Sequence, residues 1–233
     1  MTRIRKHSEM MPGPNRPEPI ASPSLVLVAP SAHSGYDVLK RVLDILLAAI
    51  LLLMLAPVML AVALAIKLDS PGPIFFRQRR IGLRERPFTL VKFRSMHVDA
   101  EERAEAIRHL NITDGPTFKA KDDPRLTRVG KWLRQYSLDE LPQLANVLRG
   151  EMSLVGPRPM LAQEVEAMSS AYRERFAVKP GLTCIWQVSG RSHIGFDDWM
   201  KLDLRYVRER SLWLDIVLLA RTPLAVVTAR GSY

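Results

Sequence analysis

Sulfur is scarce in this 233-residue chain: its single cysteine, Cys184, allows no intramolecular disulfide and no thiolate set for structural zinc. That fits a reducing compartment, with the cytoplasm as the default. The five histidines, at positions 7, 33, 97, 109 and 193, lack H-E-x-x-H or any other paired ligand spacing, which argues further against zinc. Also missing are a Walker lysine loop, a G-x-G-x-x-G fingerprint and a G-x-S-x-G elbow, so an ordinary ATP, dinucleotide or serine-hydrolase site is not expected. No repeat of solenoid length occurs. The only early apolar stretch, residues 25–29, is too short for a cleaved signal peptide. Acid is under-represented against base, with 24 Asp and Glu facing 34 Lys and Arg, for a formal charge of +10. An anionic partner follows: nucleic acid, lipid headgroups or phosphorylated small molecules.

What is present in quantity is apolar chain. Residues 45–66 carry no charge, contain Pro57 near the middle, and are flanked by Lys40 and Arg41 before and Lys67 after. The run is long enough to span, since about 20 apolar residues cross a hydrocarbon core. Cationic flanks favour the cytoplasmic side, so a spanning helix misplaces one end. A helix that bends at Pro57 and returns satisfies both, and proline lowers the cost of the bend by removing an N–H and crowding the preceding turn.

Residues 1–35, rich in Pro, Ser and charge without periodicity, read as a disordered basic arm. Helical spacing starts at Tyr36 and stops at Asp69-Ser70-Pro71-Gly72-Pro73. Segments 74–78 and 88–93 predict a hairpin around a loop holding Arg79, Arg80, Arg84 and Arg86. Amphipathic helices are expected at 99–110 and 160–176, and an interrupted one at 126–148. Two more close the chain, 197–210 and 212–229, the latter greasy enough to be either a core helix or an interfacial one.

Asp139 and Glu140 are the first candidates for chemistry. Ser137-x-x-Glu140 also matches a capping box, and Asp139 is an acceptable N-cap before Pro142, so helix capping alone would explain them. The cations around them weigh against that: Lys92, Arg94, Arg125, Arg134, Arg158 and Arg191 all sit beside turn-forming residues. Arg158, between two prolines, is held on a stiff backbone suited to gripping phosphate. Several cations, a helix N-terminus and two carboxylates fit a diphosphate site, the carboxylates suiting Mg2+. Trp186 and Gln187, in a loop expected after Pro180-Gly181, would stack on and hydrogen-bond a nucleobase, or Trp186 would pack in the core.

Five motifs occur in order: Lys92-Phe93-Arg94-Ser95-Met96, Asp123-Pro124-Arg125, Ser137-Leu138-Asp139-Glu140-Leu141-Pro142-Gln143, Gly156-Pro157-Arg158-Pro159, and Pro180-Gly181-Leu182-Thr183 leading to Trp186-Gln187-Val188-Ser189-Gly190-Arg191. Over residues 36–233 the chain resembles the bacterial sugar transferase family, the monotopic phosphoglycosyl transferases acting on polyprenyl phosphate. Its short form is similar to the undecaprenyl-phosphate galactose phosphotransferases of exopolysaccharide synthesis. The resemblance implies an attack by Asp139 on the β-phosphate of a UDP-sugar, release of UMP, and transfer of hexose-1-phosphate to undecaprenyl phosphate. Asp139 and Glu140 would be the catalytic and Mg2+-associated pair; Arg80, Lys92, Arg94, Arg125, Arg134, Arg158, Gln187 and Arg191 would serve substrate binding.

The expected architecture is α+β and mainly helical: an arm (1–35), a re-entrant membrane helix broken at Pro57 (36–69), and a cytosolic catalytic domain (70–233) with a short hairpin and interfacial amphipathic helices. The expected location is the cytoplasmic face of a bacterial inner membrane, against inner-leaflet lipid, with no nucleic acid and with downstream glycosyltransferases as partners the pathway allows. Two positions depart from the family: Ala56 where Ser often precedes the proline, and Cys184 where Gly usually follows Pro-Gly-Leu-Thr. A cysteine forced to positive φ would be strained. The rival from another class is a non-catalytic membrane-anchored adaptor with a basic anion-binding face. It accounts for the charge and the apolar run but not for carboxylates among the cations.

Overall fold

The computed structural model describes residues 34–190 and 194–228. The arm expected at 1–35 lies almost wholly outside them. One long apolar helix, α1 (Ser34–Asp69), leads into a mostly helical body with an antiparallel hairpin, β1 (Phe75–Ile81) and β2 (Pro87–Phe93). After turns and a 3-10 helix (Glu105–Leu110) come α2 (Arg128–Gln135), a 3-10 helix (Leu138–Gln143) and α3 (Leu144–Arg149). Next are β3 (Ser153–Val155), α4 (Ala162–Ala167), a 3-10 helix (Ser170–Ala177), β4 (Gly181–Thr183), α5 (Ile185–Ser189), α6 (Phe196–Glu209) and α7 (Leu212–Thr228).

The secondary structure of α1 does not stop at Pro57, which lies inside the helix where a break was expected. Proline removes one backbone bond without ending the flanking turns. Drawn straight, 36 residues would run about 54 Å, yet both ends dock on neighbouring elements of one body. Near the start, Arg41 donates to Val147 O and Leu148 O at 2.6 and 2.8 Å, and Asp44 Oδ1 accepts from Leu154 N at 3.0 Å. Near the end, Val62 and Ile66 pack with Phe93 and Leu133, and Asp69 Oδ2 accepts from Val129 N at 3.1 Å. Between the two docks, Leu53, Met54 and Leu60 are each more than two-thirds exposed. A core helix would be covered there.

Two other expectations change. Residues 99–110 form turns and a short 3-10 helix rather than one amphipathic helix, since within Glu105–Leu110 only Ile107 is buried and no apolar stripe holds a longer element. The expected helix 160–176 divides at Met168, and Ser169 opens the second piece by accepting from Ala171 N. Sequence periodicity gave no sign of β3 and β4, a parallel pair of three residues each. They approach so closely that a Cβ on Gly181 would lie 2.0 Å from Gly156 N. Helix α7 is not wholly a core helix: Asp215 and Leu218 are buried, while Trp213, Leu224 and Val227 stand about 70% exposed.

Candidate active site

Strand alternation starts the site. In the register of β1 and β2, Phe76 pairs with Lys92, Gln78 with Leu90 and Arg80 with Phe88, and residues two apart share a face. Lys92 and Arg80 therefore project from the same side, and Lys92 Nζ lies 5.4 Å from the Phe76 ring centroid. The 3-10 helix Leu138–Gln143 packs against β2. Its entrance is tight, with Ser137 left-handed at φ 53° and making no side-chain cap bond. Neither capping arrangement forms: Asp139 lies inside the segment, is only 5% exposed, and is free of the N-cap role.

Arg158 comes from the other side on a turn whose backbone is fixed residue by residue. Four consecutive carbonyls each accept a bond: Pro157 O from Gly181 N at 2.9 Å, Arg158 O from Arg175 Nη2 at 2.8 Å, Pro159 O from Arg80 Nη1 at 3.3 Å and Met160 O from Ile81 N at 2.8 Å. The guanidinium then reaches Glu140, with Nη2 2.8 Å from Oε1. Arg175 is itself locked to Asp203, Nη2 to Oδ2 at 2.6 Å, in a pair whose side chains are 1% exposed. A buried pair of this kind is poor evidence for stability, but it is well placed to hold the Arg158 carbonyl.

The electrostatics tie these groups together. Burial, then the Glu140 charge, push the Asp139 carboxyl up to about 6, against the pull of Lys92, Arg134 and Arg158. Burial brings Lys92 down to about 8, with Asp139 opposing the shift. Glu140 raises the Arg158 guanidinium further above its ordinary value, outweighing burial. Arg80 is brought down to about 10 by burial, with the Glu164 charge opposing and Arg158 adding to the fall. The result is a carboxylate mostly ionised at neutral pH but held at an energetic cost among three cations.

Of the expected binding residues, the structure brings Lys92, Arg134 and Arg158 to the acidic pair and Arg80 to its edge. Arg94 turns elsewhere, donating to Ser70 O and Oγ at 2.7 and 2.9 Å and to Pro71 O, so it closes the turn after α1. Arg125 forms a fork with Asp123, Nη2 to Oδ2 at 2.7 Å, and lies 5.1 Å from the Phe118 ring. Gln187 is on α5 rather than in a loop and accepts from Cys184 Sγ at 3.2 Å. Arg191 lies outside the described residues. Cys184 carries none of the expected strain, because its φ of −155° is extended backbone. Trp186 is buried and stacks on Trp199 at 4.6 Å, which is the core arrangement.

Sequence reasoning missed Arg175 and Asp203, which sit on neighbouring elements and meet only in the fold. It also missed Asn146, fully buried, which accepts from Val91 N at 3.2 Å and donates to Thr89 O at 2.7 Å, joining α3 to β2 beside Lys92.

The structure thus brings buried and cationic side chains to an acidic pair in a chain whose first helix is long and apolar enough to cross a membrane. The chain belongs to the bacterial sugar transferase family, whose model matches residues 35–229. It is 41% identical over 198 residues to the exopolysaccharide production protein ExoY of Rhizobium meliloti, covering 83% of this chain and 88% of that one. It is 44% identical over 194 residues to the galactosyl transferase CpsE of Streptococcus agalactiae, covering 83% of this chain and 43% of that one. The UDP-glucose:undecaprenyl-phosphate glucose-1-phosphate transferase of Xanthomonas campestris is 44% identical over 208 residues, covering 85% and 40%. This chain thus spans less than half the length of the last two relatives.

Proposed function

We propose that the protein moves hexose-1-phosphate from a UDP-sugar to undecaprenyl phosphate, as the first membrane step of exopolysaccharide synthesis. The observation that carries this reading is Asp139, buried and ionised among Lys92, Arg134 and Arg158. A relative from Salmonella typhimurium, 38% identical, is named an undecaprenyl-phosphate galactose phosphotransferase, and the Xanthomonas relative's name states the matching glucose reaction. In the first step an Asp139 oxygen attacks the β-phosphorus, the bond to the α-phosphate oxygen breaks, and UMP leaves with that electron pair. The acyl phosphate splits one hard transfer into two easier ones. An oxygen of undecaprenyl phosphate then attacks the same phosphorus, the acyl–phosphate bond breaks, and the carboxylate is regenerated.

Arg158 and Lys92 offset phosphate charge as it redistributes. Two adjacent carboxylates, with the Glu140 charge raising the proton affinity of Asp139, suit a hard cation, so the pair fits Mg2+ with water and phosphate completing its shell. Bound there, Mg2+ would neutralise diphosphate charge. The adaptor alternative leaves a destabilising buried carboxylate without a purpose. The purified chain in lipid nanodiscs is expected to release UMP from UDP-galactose or UDP-glucose when undecaprenyl phosphate is supplied, and to stop on chelation with EDTA. Absence of UMP across a panel of UDP-hexoses would refute the reading.

The proposed setting is the cytoplasmic face of a bacterial inner membrane, with α1 entering one leaflet and returning. Its support is the bare apolar stretch around Pro57 between two ends docked on one body. Cysteines introduced by Val38→Cys and Leu68→Cys, both at exposed positions, are expected to react with an impermeant maleimide from the same side of sealed vesicles. Labelling from opposite sides means a spanning helix. Cys184 is buried and its thiol pushed up to about 12, chiefly by burial, so it stays silent.

A further inference from the structure

Asn146 fills a place that a third strand would otherwise take. Strand β2 has β1 along one edge only, so the N–H and C=O groups on its other edge need partners of their own once buried. Those groups include Thr89 O and Val91 N, and the fully buried Asn146 carboxamide serves both, with Oδ1 accepting from Val91 N at 3.2 Å and Nδ2 donating to Thr89 O at 2.7 Å. A peptide group of a neighbouring strand would make the same two bonds. The remaining N–H on Nδ2 goes to Glu151 Oε2 at 2.6 Å, which fixes the orientation of the amide. Turned over, it would set N–H against N–H and one oxygen against two others.

This carboxamide joins the two elements that carry the site. Asn146 is on α3, which follows the 3-10 helix Leu138–Gln143 without a break, so Asp139 and Asn146 share one helical run. Lys92 directly follows Val91 on β2, and its charge and that of Asp139 act on each other. Apolar packing also links the two elements: Leu90 shares a core cluster with Leu144 and Val147, and Phe93 another flanked by Leu138 and Leu141. Apolar contact is non-directional, so it holds the elements together without setting how far one slides along the other. The carboxamide bonds are directional and set that register.

We infer that Asn146 is a positioning residue for the transfer, holding the Lys92 ammonium in register with the Asp139 carboxylate, an assignment that rests on the proposed phosphoglycosyl reaction. Its effect reaches the reacting phosphate through Lys92, whose charge meets the one that develops as UMP leaves. Loosening the edge of β2 lets Lys92 drift while Glu140 and Arg158 keep their own pairing. A misplacement of about 1 Å is enough to cost on the order of 10²-fold in rate.

The test is a double-mutant cycle on UMP release from UDP-hexose, run with the full chain in nanodiscs: wild type, Asn146→Ala, Lys92→Met and the two combined. Asn146→Ala should lower kcat roughly ten- to hundredfold with KM within about twofold, the mark of an interaction made in the transition state. In the Lys92→Met background, where the cation to be misplaced is gone, the same substitution should change kcat by less than about twofold. A residue that only supports the fold would cost the same in both backgrounds. Should Asn146→Ala fail to fold, substitutions at Glu151 decide. Glu151→Ala removes the acceptor of the second N–H and should lower kcat roughly threefold, again only when Lys92 is present. Glu151→Gln keeps an acceptor oxygen and should stay close to wild type. Equal costs with and without Lys92 overturn the assignment and leave the transferase reading standing. A wild type that releases no UMP from UDP-hexose overturns both.

Discussion

Asp139→Asn is expected to abolish turnover and, at the same time, to make the protein more stable. Asparagine keeps the shape and the backbone but cannot form an acyl phosphate, and removing a nucleophile that acts within a concerted site costs on the order of 10⁴-fold or more. The stability change follows from the proton balance. The folded protein holds the Asp139 proton more tightly than the unfolded chain, about 6 against 3.8, because burial and Glu140 disfavour the charge. Folding stability therefore falls as pH rises from about 4 through 6, and above that the ionised group costs a full increment, on the order of 2–3 kcal/mol. Asparagine carries no such cost. Thermal melts should place the variant above wild type at pH 8 and bring the two together near pH 4. The first chemical step of wild type should quicken with rising pH through about 6 as the nucleophile ionises. A variant that still produces UMP and lipid-linked product rules out Asp139 as nucleophile. One that is inactive but no more stable at pH 8 rules out the strained-carboxylate account.

The sequence was most legible where chemistry and local geometry coincide. Asp139, Glu140 and Arg158 could be picked out because carboxylates amid cations, and an arginine between prolines, are unusual whatever the fold. The hairpin was readable from its two β-like segments, but Arg79 and Arg80, expected in the loop, lie in β1, and the shared face of Arg80 and Lys92 emerged only from the register. Arg94 and Arg125 find partners outside the acidic pair for a physical reason: a cation beside a turn is as useful for tying off carbonyls or a neighbouring aspartate as for gripping phosphate, and the sequence does not name the partner. Arg94 serves Ser70 and Pro71, and Arg125 serves Asp123. The basic flanks of the apolar run held a similar ambiguity. Lys40 pairs with Asp215 at 2.8 Å and Arg41 holds the α3 carbonyls, so their charge answers to packing as well as to a membrane. Arg175, Asp203 and Asn146 were illegible because their roles lie in long-range contacts, 17 to 57 residues apart in sequence, that no local period encodes.

Arg158→Gln is the second substitution with a large expected effect, and its diagnostic part is a pH shift. Losing a preorganised cation at a phosphate costs roughly 10²–10³ in kcat. Loss of rate alone would not separate a catalytic from a structural arginine. Arg158 is also one of the charges that hold the Asp139 proton affinity down, and it neutralises Glu140, the neighbour that pushes it up. Removing it acts on Asp139 twice in the same direction. The alkaline-rising limb of kcat/KM, expected near 6 in wild type, should therefore move to higher pH in Arg158→Gln. Arg158→Lys retains the charge and should shift the limb less, while losing rate through its different reach and geometry. Asp203→Asn supplies the contrast: it loosens Arg175 and so the carbonyl of Arg158, lowering kcat through misplacement while the positive charge stays near Asp139. Its limb should stay close to wild type. A limb that does not move in Arg158→Gln would mean that the cation does not sense Asp139, and the pairing of the two in one reaction would have to be abandoned.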